Sequence, residues 1–233
     1  MLIAVITDTH FSTEQEMTCG SRHTGIAADL LQEAIAQLNK NIKPDLTILL
    51  GDLINDGNGA KADDELKTLL KHLQLLDSPF ISLPGNHDGT PEYFYGIFPR
   101  PPAIADFGQV RFVNNVDAER PGYNAYRSPE GIALLQQARH NWKGQIVSLQ
   151  HVPILPPGKS SCPYHYENDQ EILQEFQRQG VTLAISGHHH AGVPLFKDND
   201  TYYLVAPALC EKPFPITLVK INDNNISSEI VHL

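Results

Sequence analysis

The sequence predicts an α/β fold with α+β character, a mixed sheet system covered by helices. Three observations carry this reading. Short apolar runs alternate with segments of helical periodicity through the first two-thirds of the chain, as βαβ units do. About the last forty residues turn strand-rich, with two hairpin patterns. Five of the apolar runs end in clusters of Asp, His and Asn.

The elements follow in order. Residues Leu2–Ile6 form a first strand, followed by a polar loop over 11–23. Ala27, Ala28, Leu31, Ala34, Ile35 and Leu38 recur at three- and four-residue steps, one face of a helix, which Lys40, Asn41 and Pro44 end. Leu46–Leu50 is the next strand. A second helix carries Leu66, Leu69, Leu70, Leu73 and Leu76, and Phe80–Leu83 is a third strand. The pattern weakens over about 90–127, where only 111–114 suggests a strand and Pro121-Gly122 a turn. A helix over 129–142 has Pro129 in its first turn. Strand 146–149, a helix over 170–179 closed by Gly180, and strand 181–185 complete the alternating part. Runs 193–196 and 202–205 form one hairpin pattern. Runs 216–221 and 226–231 form another, around Asn222-Asp223-Asn224-Asn225.

A chain of 233 residues suits a single domain over 1–233, large enough to fold on its own core without disulfides. The three cysteines, Cys19, Cys162 and Cys210, are odd in number and lack CxxC spacing, so a reduced compartment is expected. The N-terminal apolar run is too short for a signal peptide, and no stretch reaches membrane-span length; the expectation is a soluble cytoplasmic protein. A net charge of −10 weighs against a nucleic-acid partner. It leaves a small phosphorylated substrate open, because bound metal ions invert a local field. A homodimer is compatible with the sequence.

The five strand-end clusters carry the chemistry: Asp8-Thr9-His10, Gly51-Asp52, Gly85-Asn86-His87-Asp88, His151 and Gly187-His188-His189-His190. If these strands share one sheet, the clusters converge beyond its carboxyl edge. Carboxylate, imidazole and amide donors without thiolate suit Mn, Fe or Zn. So many donors exceed the needs of one tetrahedral ion and suit two. Two ions about 3.5–4 Å apart can clamp the attacking and leaving oxygens of a phosphoryl displacement and supply hydroxide near neutral pH.

In this order the motifs resemble those of the calcineurin-like metallophosphoesterases, and within them the bacterial branch of cyclic-nucleotide and glycerophosphodiester hydrolases. The resemblance runs from Asp8 to His190. It implies a four-layer α-β-β-α sandwich with two mixed β-sheets and a metal site at the strands' carboxyl ends. It implies that Asp8, His10 and His190 hold one metal ion, that Asn86, His151 and His188 hold a second, and that Asp52 bridges them. His87 matches a non-ligand histidine that protonates the leaving oxygen, with Asp88 a candidate to orient its ring. The stretch after Gly51-Asp52 lacks the Arg of protein serine/threonine phosphatases and the Tyr of purple acid phosphatases. Gln150-His151-Val152-Pro153 departs mildly from the branch's His-His-Pro-Pro. The expected activity is metal-dependent hydrolysis of a phosphodiester. A phosphomonoesterase, a nucleotide pyrophosphatase using the same site, and a non-catalytic binding scaffold are the alternatives.

Taken singly, each motif has an ordinary reading. Gly51-Asp52 is a turn, Asp8 a cap, His151 a surface histidine. Only their joint occurrence after strands argues for a centre. His189 and the loop 156–168, with Lys159, Tyr164 and His165, are open to a substrate contact or a plain surface role; Arg22 and His23 are open to bordering the site or a surface role, and Lys159 or Arg22 to pairing with a phosphate. His72, His140 and His232 read as surface or packing residues, and Trp142 as core.

Overall fold

A computed structural model describes residues 1–222 and 225–233. The strands are β1 (Leu2–Ile6), β2 (Leu46–Leu50), β3 (Phe80–Leu83), β4 (Ile104–Phe107), β5 (Val110–Asn114), β6 (Ala118–Arg120), β7 (Asn124–Tyr126), β8 (Gln145–Leu149), β9 (Leu183–Ser186), β10 (Val193–Asp198), β11 (Thr201–Val205), β12 (Pro215–Asn222) and β13 (Asn225–His232). The helices are α1 (Ala27–Gln37), α2 (Ala62–Leu73), α3 (Pro91–Phe94), α4 (Pro129–Arg139) and α5 (Asp169–Gln179). The expected turn between the last two strands has its central residues, Asp223 and Asn224, outside the described residues.

Two mixed sheets form. One has the order β13-β12-β1-β2-β3, the other β10-β11-β9-β8-β5-β4, and β6 and β7 make a separate ribbon. In the first, β1, β2 and β3 run parallel and β12 lies antiparallel to β1, pairing Leu2 with Lys220. In the second, β5, β8, β9 and β11 are parallel, with β4 and β10 antiparallel at the edges. Both hairpins are present, but each carries one strand into an older sheet, beside β1 or β9.

Three apolar layers hold this together. Alternate residues of the same strands enter different layers, because successive side chains of a strand point to opposite faces. Ile3, Val5, Ile48 and Leu50 meet Val147, Leu149, Leu183 and Ile185 between the two sheets. Ala4, Ile6 and Leu49 face Leu31 and Leu66 of α1 and α2. Val113, Ile146 and Ala184 face Leu135 of α4 and Ile172 and Phe176 of α5. The result is the four-layer α-β-β-α sandwich. It explains why the strands read as unbroken apolar runs: both faces are covered. Trp142 is half-buried rather than core; its ring packs under the Arg111 guanidinium, 4.1 Å away, and its Nε1–H donates to Gln145 O. Among the described residues, no helix is long and apolar enough to cross a membrane.

The sandwich also corrects one expectation about the site. The five clusters do not follow strands of one sheet. Asp8, Asp52 and Asn86 follow β1, β2 and β3 of the first sheet, whereas His151 and His188 follow β8 and β9 of the second. They converge because the two sheets stack with these carboxyl ends at the same rim.

Candidate metal centre

The rim is drawn tight at its glycines, where close neighbours leave no room for a side chain. A Cβ on Gly85 would stand 2.2 Å from Asp52 Oδ1, one on Gly51 2.4 Å from Gly85 N, and one on Gly187 2.0 Å from Thr7 Oγ1. Asp8, His10, Asp52 and His188 all sit in the left-handed backbone region, with φ of 53°, 48°, 51° and 65°. That conformation costs a non-glycine residue energy and recurs where a site requires it.

Each carboxylate is held by one oxygen and presents the other. Asp8 Oδ2 accepts from the Thr7 hydroxyl at 2.6 Å and from the His188 N–H at 2.8 Å, while its buried Oδ1 has no hydrogen-bond partner and lies 3.4 Å from His190 Nε2. Asp52 Oδ1 accepts the His87 N–H at 2.8 Å; its Oδ2 lies 3.6 Å from His10 Nε2 and 3.3 Å from His151 Nε2, between the two halves of the cluster.

The imidazoles are fixed in the same way. His151 Nδ1–H donates to Leu50 O at 2.5 Å, His190 Nδ1–H to Glu211 Oε1 at 2.6 Å, and His188 Nε2–H to Tyr123 O at 3.0 Å. Those acceptors fix the ring orientations, so the opposite ring nitrogens face inward. His10 Nε2 and His190 Nε2 stand 3.1 Å apart, His188 Nδ1 and His151 Nε2 3.1 Å, and Asn86 Oδ1 and His151 Nε2 3.2 Å. Ring nitrogens this close hold a proton or a metal cation between them. The spacing is what donors bonded at about 2.0–2.2 Å to one ion adopt.

Three overlapping groups have donor atoms within 4.8 Å of one another: Asp8, His10 and His190; Asp52, His151 and His188; and His10, Asp52 and His87. The donor set therefore fits two ions with Asp52 between them.

The electrostatics are those of a site short of positive charge. Burial would lower the His151 imidazole, but Asp52 overrides it and carries it up to about 10. Burial would raise Asp52 and Asp8. His151 pulls Asp52 well below its ordinary value, and the contact with His190 brings Asp8 to about 2. Burial holds His10 down at about 3 against Asp52 and Asp8, and burial with the His151 charge brings His188 to about 4. Burial would lower His190, but the nearby carboxylates of Asp8 and Glu211 outweigh it and raise the ring. His189, between two inward-facing neighbours, is half-buried and lowered mainly by burial.

One role read from the sequence changes. Among the described residues, no hydrogen bond joins Asp88 to the His87 ring. The ring is held by Asn55, whose carbonyl accepts from His87 Nδ1–H at 2.6 Å. Asp88 is fully buried and turned the other way. Its oxygens accept from the N–H groups of Leu53, Ile54 and Gly85 at 2.8, 3.0 and 2.8 Å, tying the loop after β2 to the loop after β3. Burial, then the charge of Asp52, raises its pKa to about 7 despite those donors. Adjacency in sequence misleads here because successive residues of a tight turn project in different directions.

Glu211 was not legible as a site residue. It anchors His190 and accepts from Ser21 Oγ at 3.1 Å, yet it stands alone in the tail without a motif around it. Arg22 and His23 lie on the same side, with the His23 N–H bonded to Cys210 O. From the loop 156–168, Tyr164 packs edge-on against His188, with ring centroids 4.3 Å apart.

Sandwich and cluster together define a metallophosphoesterase. The family model of the calcineurin-like phosphoesterases matches residues 1–192, and the chain belongs to that family. It is 42% identical over 59 residues to a protein of Moraxella catarrhalis named "Probable cyclic nucleotide phosphodiesterase", a match spanning 25% of this chain and 20% of that protein. It is 32% identical over 91 residues, 39% of this chain and 31% of the relative, to a probable glycerophosphodiester phosphodiesterase of Arcobacter nitrofigilis. Its fold matches a dimetal phosphatase from Danio rerio with a TM-score of 0.75 at 16% identity, over 99% of this chain and 98% of the other.

Proposed function

We propose that this chain hydrolyses a small-molecule phosphodiester at a dinuclear metal centre. Asp8, His10 and His190 would hold one ion, Asn86, His151 and His188 the other, and Asp52 Oδ2 would face both. The observation that carries the reading is the inward convergence of donor atoms, two imidazole pairs at 3.1 Å around Asp8 Oδ1 and Asp52 Oδ2 of two buried carboxylates. Oxygen and nitrogen donors without sulfur favour Mn, Fe or Zn. When bound, such ions would supply Lewis acidity that neutralises phosphate charge and makes an oxygen nucleophile available at neutral pH.

The chain's own groups do the rest. His87, half-buried beside His10 at a ring distance of 4.7 Å, commits Nδ1–H to Asn55 and, in its doubly protonated form, has a proton on Nε2 to give to the departing alkoxide. Asp88 positions that histidine indirectly, by fixing the loop on which it rides. Similarity to proteins named as diesterases favours the diester over a monoester or a pyrophosphate. Metal-loaded protein should cleave bis(p-nitrophenyl) phosphate faster than p-nitrophenyl phosphate. A monoester-only profile refutes the diesterase reading.

The anchor on His190 gives a further expectation. Glu211→Ala frees the ring to rotate and lowers its basicity, so affinity for one of the two ions should fall by about 10–100-fold. Isothermal titration with Mn²⁺ or Zn²⁺ reads this as one weakened class of site beside one unchanged.

A further inference from the structure

A cavity of about 360 Å³ opens beside Asn86 and His151, where the second ion is assigned. Its far wall is the β6–β7 ribbon and its approaches, which bring Asp117, Glu119 and Tyr123 to the site. The ribbon tip is pinned to the centre, because Tyr123 O accepts from His188 Nε2–H. Among the described residues, the lining contains two carboxylates and no Lys or Arg.

The charges of the wall are unequally matched. Asp117 is paired with the fully buried Arg127, whose Nη2 donates at 2.9 Å, and accepts the Tyr166 hydroxyl at 2.7 Å. Glu119 is exposed, and the neighbouring Arg120 is turned to Glu167 at 3.2 Å. Among the described residues no cation pairs with Glu119, so it leaves a negative charge at the cavity mouth. The 58% exposed Tyr123 adds an aromatic face beside it, a surface that attracts cations.

We infer that this cavity receives the alcohol substituent retained on the phosphorus, and that it selects an ammonium-bearing alcohol and disfavours an anionic one. This rests on the hydrolase reading above. Phosphate charge is met at the metal cluster, while the cavity beside it would repel a second phosphate or a carboxylate. Buried and exposed carboxylates with tyrosine offer acceptors and a π face, the complement of N–H donors.

The test uses full-length, metal-loaded protein and three p-nitrophenyl phosphodiesters that release the same phenolate: 2-aminoethyl, propyl and 2-carboxyethyl. The expected kcat/KM order is aminoethyl, then propyl, then carboxyethyl, with about tenfold or more between the extremes, since even exposed charge pairs reach severalfold effects. Glu119→Lys should shrink or reverse that ratio at unchanged metal content. A readout independent of turnover is the amide spectrum of metal-free protein: ethanolamine, and not propionate, should shift Val116, Glu119 and Tyr123. Equal kcat/KM for the three esters, or a ratio untouched by Glu119→Lys, overturns the inference while leaving the hydrolase reading standing. Turnover of none of the esters, with ethanolamine still shifting those residues, overturns the hydrolase reading and supports the cavity's preference.

Discussion

Asp52→Asn should release both metal ions and abolish hydrolysis. The side chain stands between the two halves of the cluster, with Oδ2 at 3.6 Å from His10 Nε2 and 3.3 Å from His151 Nε2. Asn keeps a carbonyl oxygen that can still accept the His87 N–H, so the loop is retained. It replaces the inward carboxylate oxygen by a neutral NH₂ group that cannot bind a cation. The loss removes one negative charge from the point of the cluster that faces both His10 and His151. A metal ion supplies several kcal/mol of transition-state stabilisation, so kcat should fall by about 10³-fold or more. Metal analysis by inductively coupled plasma mass spectrometry should show both ions depleted after dialysis. Retention of two ions with wild-type activity would refute the bridging role.

His87→Ala should do the opposite: keep both ions and lose the chemistry selectively. The ring lies outside the two proposed coordination sets, with Nδ1–H committed to Asn55 O. General acid catalysis contributes about 10²–10⁴-fold, most where the leaving group is a poor one. An alkyl phosphodiester should therefore lose about two to four orders of magnitude in kcat, while a p-nitrophenyl ester, whose phenolate leaves unaided, should lose far less. Equal losses on both esters would remove His87 from the acid role. One member of the third donor group is His87, within 4.8 Å of atoms of His10 and Asp52, so a drop in metal content would recast it as a ligand.

The centre was legible in the sequence because its donors come in clusters and each cluster follows an apolar run. A strand buried on both faces reads as continuous hydrophobicity, and the polar residue that ends it is conspicuous; Asp8 after β1 and His188 after β9 are of this kind. What connects distant parts of the chain was not legible. The placement of β12 beside β1 pairs residues more than two hundred positions apart, and no local pattern encodes it. The same contact carries the chain's tail over the site and brings Glu211 to His190, which is why that glutamate escaped notice.

The ribbon failed for another reason. Its strands are three residues each, and β6 carries no buried residue, so there is no apolar period to read. Yet this ribbon forms the wall of the cavity beside the centre. Residues that define chemistry at phosphorus announced themselves, whereas residues that face the substituents lay in the part of the sequence with the weakest pattern. Asp88 shows the limit of motif reading even inside a cluster: it belongs to the Gly-Asn-His-Asp run but works on the backbone of the Leu53 loop, away from the His87 ring.

The most direct test of the dinuclear account is a back-titration of metal into chelator-stripped protein, with diester hydrolysis followed at each addition. The account predicts negligible rate without metal and a plateau reached at two ions per chain, with no plateau at one. Full diesterase activity in the stripped protein, or saturation at a single ion, would contradict it.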